Sequence, residues 1–303
     1  MKKPNFFIVG APKCGTTAMN VYLQEHPEIF MPKPEPPDYV GKELHYFGSD
    51  LTRTAQPLSY ENYLSYFSSA TSEKAIGEAS VWYLYSKLAA KEIYEFCHEA
   101  KIIVMLRNPV DLLYSLHSQF LYTGNENLKS FKKALKAESS RKQGKNIPSS
   151  WHIREGLYYR EVIKFSEQIE RYFRLFGQKN VNVIIYEDFA NNTESIYRNT
   201  LEFLEVNSNF STNFERVNPN KKVRSKKLTN FLMLPPQSVR LISRVIPKNI
   251  RQRLMKKLKQ YNTVYTTRPL MESELYISLQ KEQLPEIEKL SILLDRDLTH
   301  WCK

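Results

Sequence analysis

The chain has 303 residues, 42% of them hydrophobic, with 44 Lys and Arg against 32 Asp and Glu, a formal net charge of +12. This apolar content is ordinary for a globular protein, and the length suits one large α/β domain or a domain with a substantial appendage. The cation excess favours anionic partners, whether nucleotide, acidic glycan, nucleic acid or membrane surface, and charge alone does not choose among them. Cys14, Cys97 and Cys302 lie far apart and show neither a metal-ligand spacing nor a disulfide framework. No cleavable signal precedes the first apolar run, and no run reaches the ~18 apolar residues of a membrane span, which predicts a soluble, cytoplasmic protein.

Taken in chain order, Phe6-Phe7-Ile8-Val9 predicts a short buried strand running into Gly10-Ala11-Pro12-Lys13-Cys14-Gly15-Thr16-Thr17. Gly10 and Gly15 bracket a tight loop, and Thr16 opens a helix to Gln24 that Pro27 ends. Pro32, Pro34, Pro36 and Pro37 predict an irregular surface loop leading to Lys42-Glu43-Leu44-His45-Tyr46-Phe47. Ala75 to Glu78 predicts the tail of a second strand, and the spacing of Leu84, Leu88, Ile93 and Phe96 a helix over 84–98. Ile102 to Leu106 is a continuous apolar run of the kind covered on both faces in a parallel sheet. Asn108, Pro109 and Asp111 suit the N-cap, first position and first turn of a helix reaching Leu121. Residues 125–150 are polar and lysine-rich, with an interrupted helical pattern at Phe131, Ala134 and Leu135, and fit a mobile lid or a solvated insertion.

A long amphipathic helix is predicted over 158–176, a buried strand over 181–186 and a helix over 193–204. From about Phe210 the strands stop, leaving a basic loop and C-terminal helices over about 211–303; Leu284, Ile287, Leu290 and Leu294 give the last helix a face for the core. There is no internal repeat. The alternation predicts a three-layer α/β fold, with a parallel sheet inside about 4–210 and helices on both faces.

A loop of the first kind aims backbone N–H groups and the positive end of a helix dipole at one point, and so holds a phosphate. Its glycine spacing matches the nucleotide pattern G-x-x-x-x-G-K-[ST], but Thr16 follows the second glycine, and Lys13 sits inside the loop beside a shorter 5′ group. Cys14 reads as a small filler, with no His nearby in sequence to activate it. Arg107 closes the central strand, where α/β sheets bind ligands, and Ser115 lies about two turns into the next helix. A guanidinium fork and a hydroxyl there suit a second phosphate. A P-loop NTPase needs a metal-binding Asp near the end of such a strand, and Arg in that place repels Mg²⁺.

Pro12 to Thr17, joined to Arg107-Asn108-Pro109 and Ser115, resembles the 5′-phosphosulfate and 3′-phosphate motifs of sulfotransferases that use 3′-phosphoadenosine 5′-phosphosulfate (PAPS). The resemblance covers nearly the whole length. It implies a P-loop-like first βα unit, a single sulfotransferase domain over 1–303, PAPS as co-substrate, adenosine 3′,5′-bisphosphate as product and no metal requirement. It also implies nucleotide contacts at Lys13, Cys14, Gly15, Thr16, Thr17, Arg107 and Ser115, with Lys13 meeting the departing bridging oxygen.

Lys42 to Phe47 is similar to the Lys-Glu-x-His-Phe-Phe segment of heparan sulfate 3-O-sulfotransferases, which implies Glu43 as base and His45 as its support. Glu43 and His45 are two apart, so an extended segment projects both from one side. Those enzymes have a further catalytic lysine where this chain has Ala79. Glu78 is then either a second carboxylate near the acceptor or a buried structural partner. Lys221 to Lys227 resembles the late basic loop that closes on the 3′-phosphate, through Arg224 and Ser225, without the Arg-Lys-Gly form of cytosolic members. Tyr158 resembles an aromatic position that contacts the nucleotide, and Leu294 to Trp301 a closing segment of bacterial relatives. Together these imply sulfuryl transfer to a hydroxyl, less readily an amine, of a carbohydrate or glycoconjugate, which the basic charge allows to be anionic. Two other classes stand beside this one. A P-loop kinase predicts ATP and Mg²⁺ dependence. A basic nucleic-acid-binding protein with a vestigial loop predicts steep salt dependence, and no recognisable motif supports it.

Overall fold

A computed structural model describes residues 2–33, 41–215, 221–233, 239 and 247–303. Of the proline-rich loop, Pro32 is inside these residues, and Pro34, Pro36 and Pro37 lie outside them. Five strands, β1 (Phe6–Gly10), β2 (Ile29–Phe30), β3 (Ala75–Ala79), β4 (Lys101–Leu106) and β5 (Val181–Ile185), form one parallel sheet in the order β2-β3-β1-β4-β5. Every residue of β1 and β3 is buried, as is all of β4 beyond Lys101. That is the signature of strands covered on both faces. The chain leaves β1 toward β2 and β3 on one side, then crosses to β4 and β5 on the other. A crevice therefore opens beside the carboxyl end of β1, where such sheets bind ligands.

The helices are α1 (Thr16–Leu23), α2 (Tyr60–Ser65), α3 (Ala89–Phe96), α4 (Pro109–Thr123), α5 (Phe131–Lys136), α6 (Glu138–Lys142) and α7 (Tyr159–Val162). They continue with α8 (Phe165–Phe176), α9 (Tyr186–Asn191), α10 (Thr193–Phe203), α11 (Lys226–Met233), α12 (Lys248–Asn262) and α13 (Ser273–Leu293). At α4 the local chemistry acts as expected: Asn108 Oδ1 accepts the N–H of Val110 (3.0 Å) and of Asp111, Pro109 takes the first position, and Gly124 closes the helix at φ 81°. α13 packs against α4 and α8, and Trp301 beyond it is buried, its carbonyl accepting from Asn108 Nδ2 (3.1 Å). Among the described residues no helix is long and apolar enough to cross a membrane.

Four expectations need correction. The helix over 84–98 is shortened to Ala89–Phe96, because the Leu84 N–H is taken by the Val9 carbonyl (2.8 Å) and Ser86 Oγ caps the N–H groups of Leu88 and Ala89. The helix over 158–176 is broken after Val162, where Gln168 Nε2 donates to the carbonyls of Glu161 and Val162 (3.1 and 3.2 Å). Residues 125–150 are no solvated insertion. Arg141 is fully buried and pairs both Nη atoms with Glu126 (2.8 and 2.7 Å), which also accepts the Tyr159 hydroxyl. Strands also return after Phe210: β6 (Lys221–Val223) and β7 (Thr263–Tyr265) make an antiparallel ribbon lying against α4.

Candidate active site

The loop after β1 is shaped by its glycines. A Cβ on Gly10 would lie 2.6 Å from Leu84 Cβ and 2.8 Å from the Val81 carbonyl oxygen, so no larger residue fits. Gly15 sits at φ 87° at the head of α1, and no side chain caps that helix. Its opening N–H groups and dipole are left for a ligand, which is the arrangement that holds phosphate. Lys13 itself takes φ 67°, a left-handed conformation that costs an L-residue energy and tends to persist at functional turns.

Lys13 Nζ donates to Gln119 Oε1 on α4 (3.2 Å). Burial, followed by the charges of Arg268, Lys221 and Arg107, brings its pKa down to about 8. Four cations thus gather at one loop. Arg107 lies over the Tyr186 ring (4.7 Å) and approaches Asp111 at 3.5 Å. Arg268 donates from Nη2 to the buried Ser115 hydroxyl (2.9 Å), and burial and Arg107 lower its pKa as well. The Nε atoms of Arg107 and Arg268 are buried without an acceptor among the described residues. Unanswered donors beside an uncapped helix form a site that fits a nucleotide with two separate anionic groups.

The sequence does not mark Arg268, Gln119 or Tyr186 as site residues, and Tyr186 reads there only as the end of a strand. Nothing in the spacing marks Arg268, since it reaches Ser115 only because β7 pairs with β6, and the Thr-Val-Tyr strand before it was the one faint signal. Lys221 was visible only as part of a basic run, yet it is the member of that run whose charge is felt at Lys13. Arg224 instead stacks on Tyr261 (4.9 Å), and the Ser225 hydroxyl accepts the Leu228 N–H at the head of α11. The Tyr158 hydroxyl meets the Arg141 carbonyl (3.4 Å). Among the described residues no hydrogen bond or ion pair joins these three to Lys13 or Arg107. Cys14 is fully buried, and burial pushes its thiol well above its ordinary value, as befits an inert filler. Thr16 is buried and Thr17 half-buried at the mouth of α1.

Across the crevice, Glu43 and His45 come together, with His45 Nε2 3.6 Å from Glu43 Oε2. They do so without an extended backbone, which corrects the expectation: both residues take positive φ, 62° and 51°. β3 and the turn after it hold them there. The Glu43 N–H donates to the Ala79 carbonyl (2.8 Å), Glu43 Oε2 accepts the Val81 N–H (3.0 Å) and the His45 N–H donates to Ser80 Oγ (3.1 Å). Val81 therefore links the two halves, its N–H on the Glu43 carboxylate and its carbonyl against Gly10. Burial raises the Glu43 carboxyl, but the ammonium of Lys42 and the His45 ring outweigh it, and the net shift is downward. Burial takes His45 down to about 4, so its ring is neutral near pH 7, and its buried Nδ1 has no partner among the described residues. Glu78 is fully buried and accepts the hydroxyls of Tyr63 (2.7 Å), Ser80 (2.6 Å) and Tyr83 (2.8 Å); burial lifts it to about 7.

The sulfotransferase domain family model matches residues 3–268. A crystal structure of a sulfotransferase from Alicyclobacillus acidocaldarius superposes with a TM-score of 0.74 at 28% identity, covering 100% of each chain. Mouse carbohydrate sulfotransferase 15 is 26% identical over 67% of this chain and 44% of its own length. A membrane-associated sulfotransferase of Dictyostelium discoideum, kil1, is 32% identical over 36% of this chain and 21% of its own. The chain thus spans less than half the length of these curated relatives. The parallel sheet, the loop after its central strand and a match over most of the sequence agree: this chain belongs to the sulfotransferase domain family, a family of transfer enzymes.

Proposed function

We propose that this chain transfers a sulfuryl group from PAPS to a hydroxyl of a carbohydrate or glycoconjugate acceptor. The observation that carries the reading is the gathering of Lys13, Arg107, Lys221 and Arg268 around an uncapped helix start. Bound PAPS supplies the activated sulfuryl group. The α1 N-terminus and Lys13 hold its 5′ end, and Arg107, Ser115 and Arg268 hold its 3′-phosphate. Glu43, ionised over the neutral range, takes the proton from the acceptor hydroxyl as that oxygen bonds to sulfur. The sulfur–oxygen bond to the 5′-phosphate breaks, and the Lys13 ammonium stabilises the charge left on the departing oxygen. His45, neutral and against Glu43, keeps the carboxylate aligned. The carbohydrate relatives support the acceptor class, and a cytoplasmic setting belongs to the same proposal.

The test is to incubate the protein with PAPS and candidate glycans and to measure release of adenosine 3′,5′-bisphosphate, with calorimetry of the bisphosphate alongside. Glu43→Gln should lower turnover by about 10²–10⁴ and leave bisphosphate affinity unchanged. Absence of PAPS binding overturns the proposal, and full turnover in Glu43→Gln moves the base elsewhere.

A further inference from the structure

Residues 221–233 hold five Lys or Arg and residues 247–271 hold seven, with no Asp or Glu in either stretch. Of these twelve only Lys221 and Arg268 belong to the cation cluster at Lys13. The same stretches also break the usual rule for a solvated basic surface. Of the twelve large apolar side chains exposed among the described residues, seven lie here: Phe231, Ile250, Leu254, Tyr261, Val264, Tyr265 and Leu270, the last 96% accessible. On α12 they are ordered. Ile250, Leu254, Lys257 and Tyr261 recur every three or four residues and stand exposed, with Arg253 at their flank, while Arg251, Met255, Leu258 and Asn262 turn inward.

We propose that this outer face of α12, continued by Tyr265 and Leu270, docks on an anionic lipid bilayer. Cations alone would suit any polyanion, and Tyr could stack on a sugar or a base, but exposed Ile250, Leu254 and Leu270 among them gain little from a soluble glycan or nucleic acid. A helix with an apolar stripe set among Lys and Arg lies in the plane of a membrane surface, its stripe at the headgroup boundary and its charges on anionic lipid. α12 also runs directly into β7 and the Arg268 turn, and Asn262 ties it to the basic loop by accepting the Ser225 N–H (2.7 Å). This surface stands independently of the reaction assigned above.

Sedimentation of the full chain with sucrose-loaded vesicles tests it. Vesicles of phosphatidylcholine with phosphatidylglycerol should carry the protein down, and phosphatidylcholine alone should not. Leu254→Ser and, separately, the double variant Arg253→Gln, Lys257→Gln should each weaken partition by about tenfold or more, with melting temperature and bisphosphate affinity unchanged. Absence of partition overturns the proposal. So does partition that survives Leu254→Ser while dextran sulfate competes it away, which would make the face a polyanion site.

Discussion

Arg141 and the pair Arg107 and Arg268 are all withdrawn from water, and the surroundings of each differ in kind. Arg141 places Nη1 and Nη2 on the two oxygens of Glu126 and Nε on the Asn146 carbonyl, so each of its three nitrogens has an acceptor. Arg107 and Arg268 each keep a buried Nε without an acceptor among the described residues, and their charges oppose one another. A satisfied buried cation holds the fold in place. A group of unsatisfied ones raises the energy of the free protein, and an incoming anion lowers it. An orphaned Nε alone does not mark the site, since Arg154 and Arg171 keep one too; what sets Arg107 and Arg268 apart is that their charges converge on Lys13.

The sharpest way to break this contrast is Glu126→Ala. It strands the Arg141 charge in the core and should cost about 3–5 kcal/mol, read from urea unfolding; a loss under ~1 kcal/mol would make the pair ornamental. Arg268→Ala should behave in the opposite manner. Unfolding of the free protein should be unchanged or slightly harder, while affinity for adenosine 3′,5′-bisphosphate falls by about tenfold to a hundredfold in calorimetry. A variant that loses stability but not affinity would place Arg268 with Arg141.

Proton linkage sharpens the comparison further. Free Lys13, lowered to about 8, binds fewer protons in the folded chain than its ordinary 10.5 gives in the unfolded one. Its share of stability therefore rises with pH between those values. A phosphate beside it restores the proton, so nucleotide binding at pH 8 should take up about half a proton, measured in buffers of different ionisation enthalpy. Lys13→Met should abolish the uptake. The smallest effect belongs to an exposed pair such as Lys91 and Glu95 at 3.6 Å, where Lys91→Ala should change stability by less than about 0.5 kcal/mol.

Much of the sheet was legible because β1 and β4 are short apolar runs, and because Asn108-Pro109 writes a helix start in local chemistry. The shape of the loop after β1 was legible for the same reason: Gly10, Lys13 and Gly15 set it within a few residues of each other. What escaped was set by distant partners. Leu84 looked helical until Val9 claimed its N–H. Residues 125–150 read as solvated from their polar, lysine-rich composition, which does not show that folding turns Glu126 and Arg141 into a buried pair. Arg268 carried no pattern at all, since β6–β7 pairing makes its position. Glu43 and His45 were found as a pair through similarity to known enzymes, but the left-handed backbone that joins them was not foreseeable from an alternation rule.

The ribbon has a consequence for synthesis. β1, β3, β4 and β5 are complete once residue 185 has left the ribosome, and the sheet can close at that stage. Ser115 and Arg268 are 153 residues apart, so the last cation arrives only when most of the remaining chain has emerged. A growing chain therefore owns its phosphate loop long before it can grip both ends of a nucleotide. If the proposed function holds, products that stop short of β7 should fold their sheet and yet bind the nucleotide more weakly, for want of Arg268.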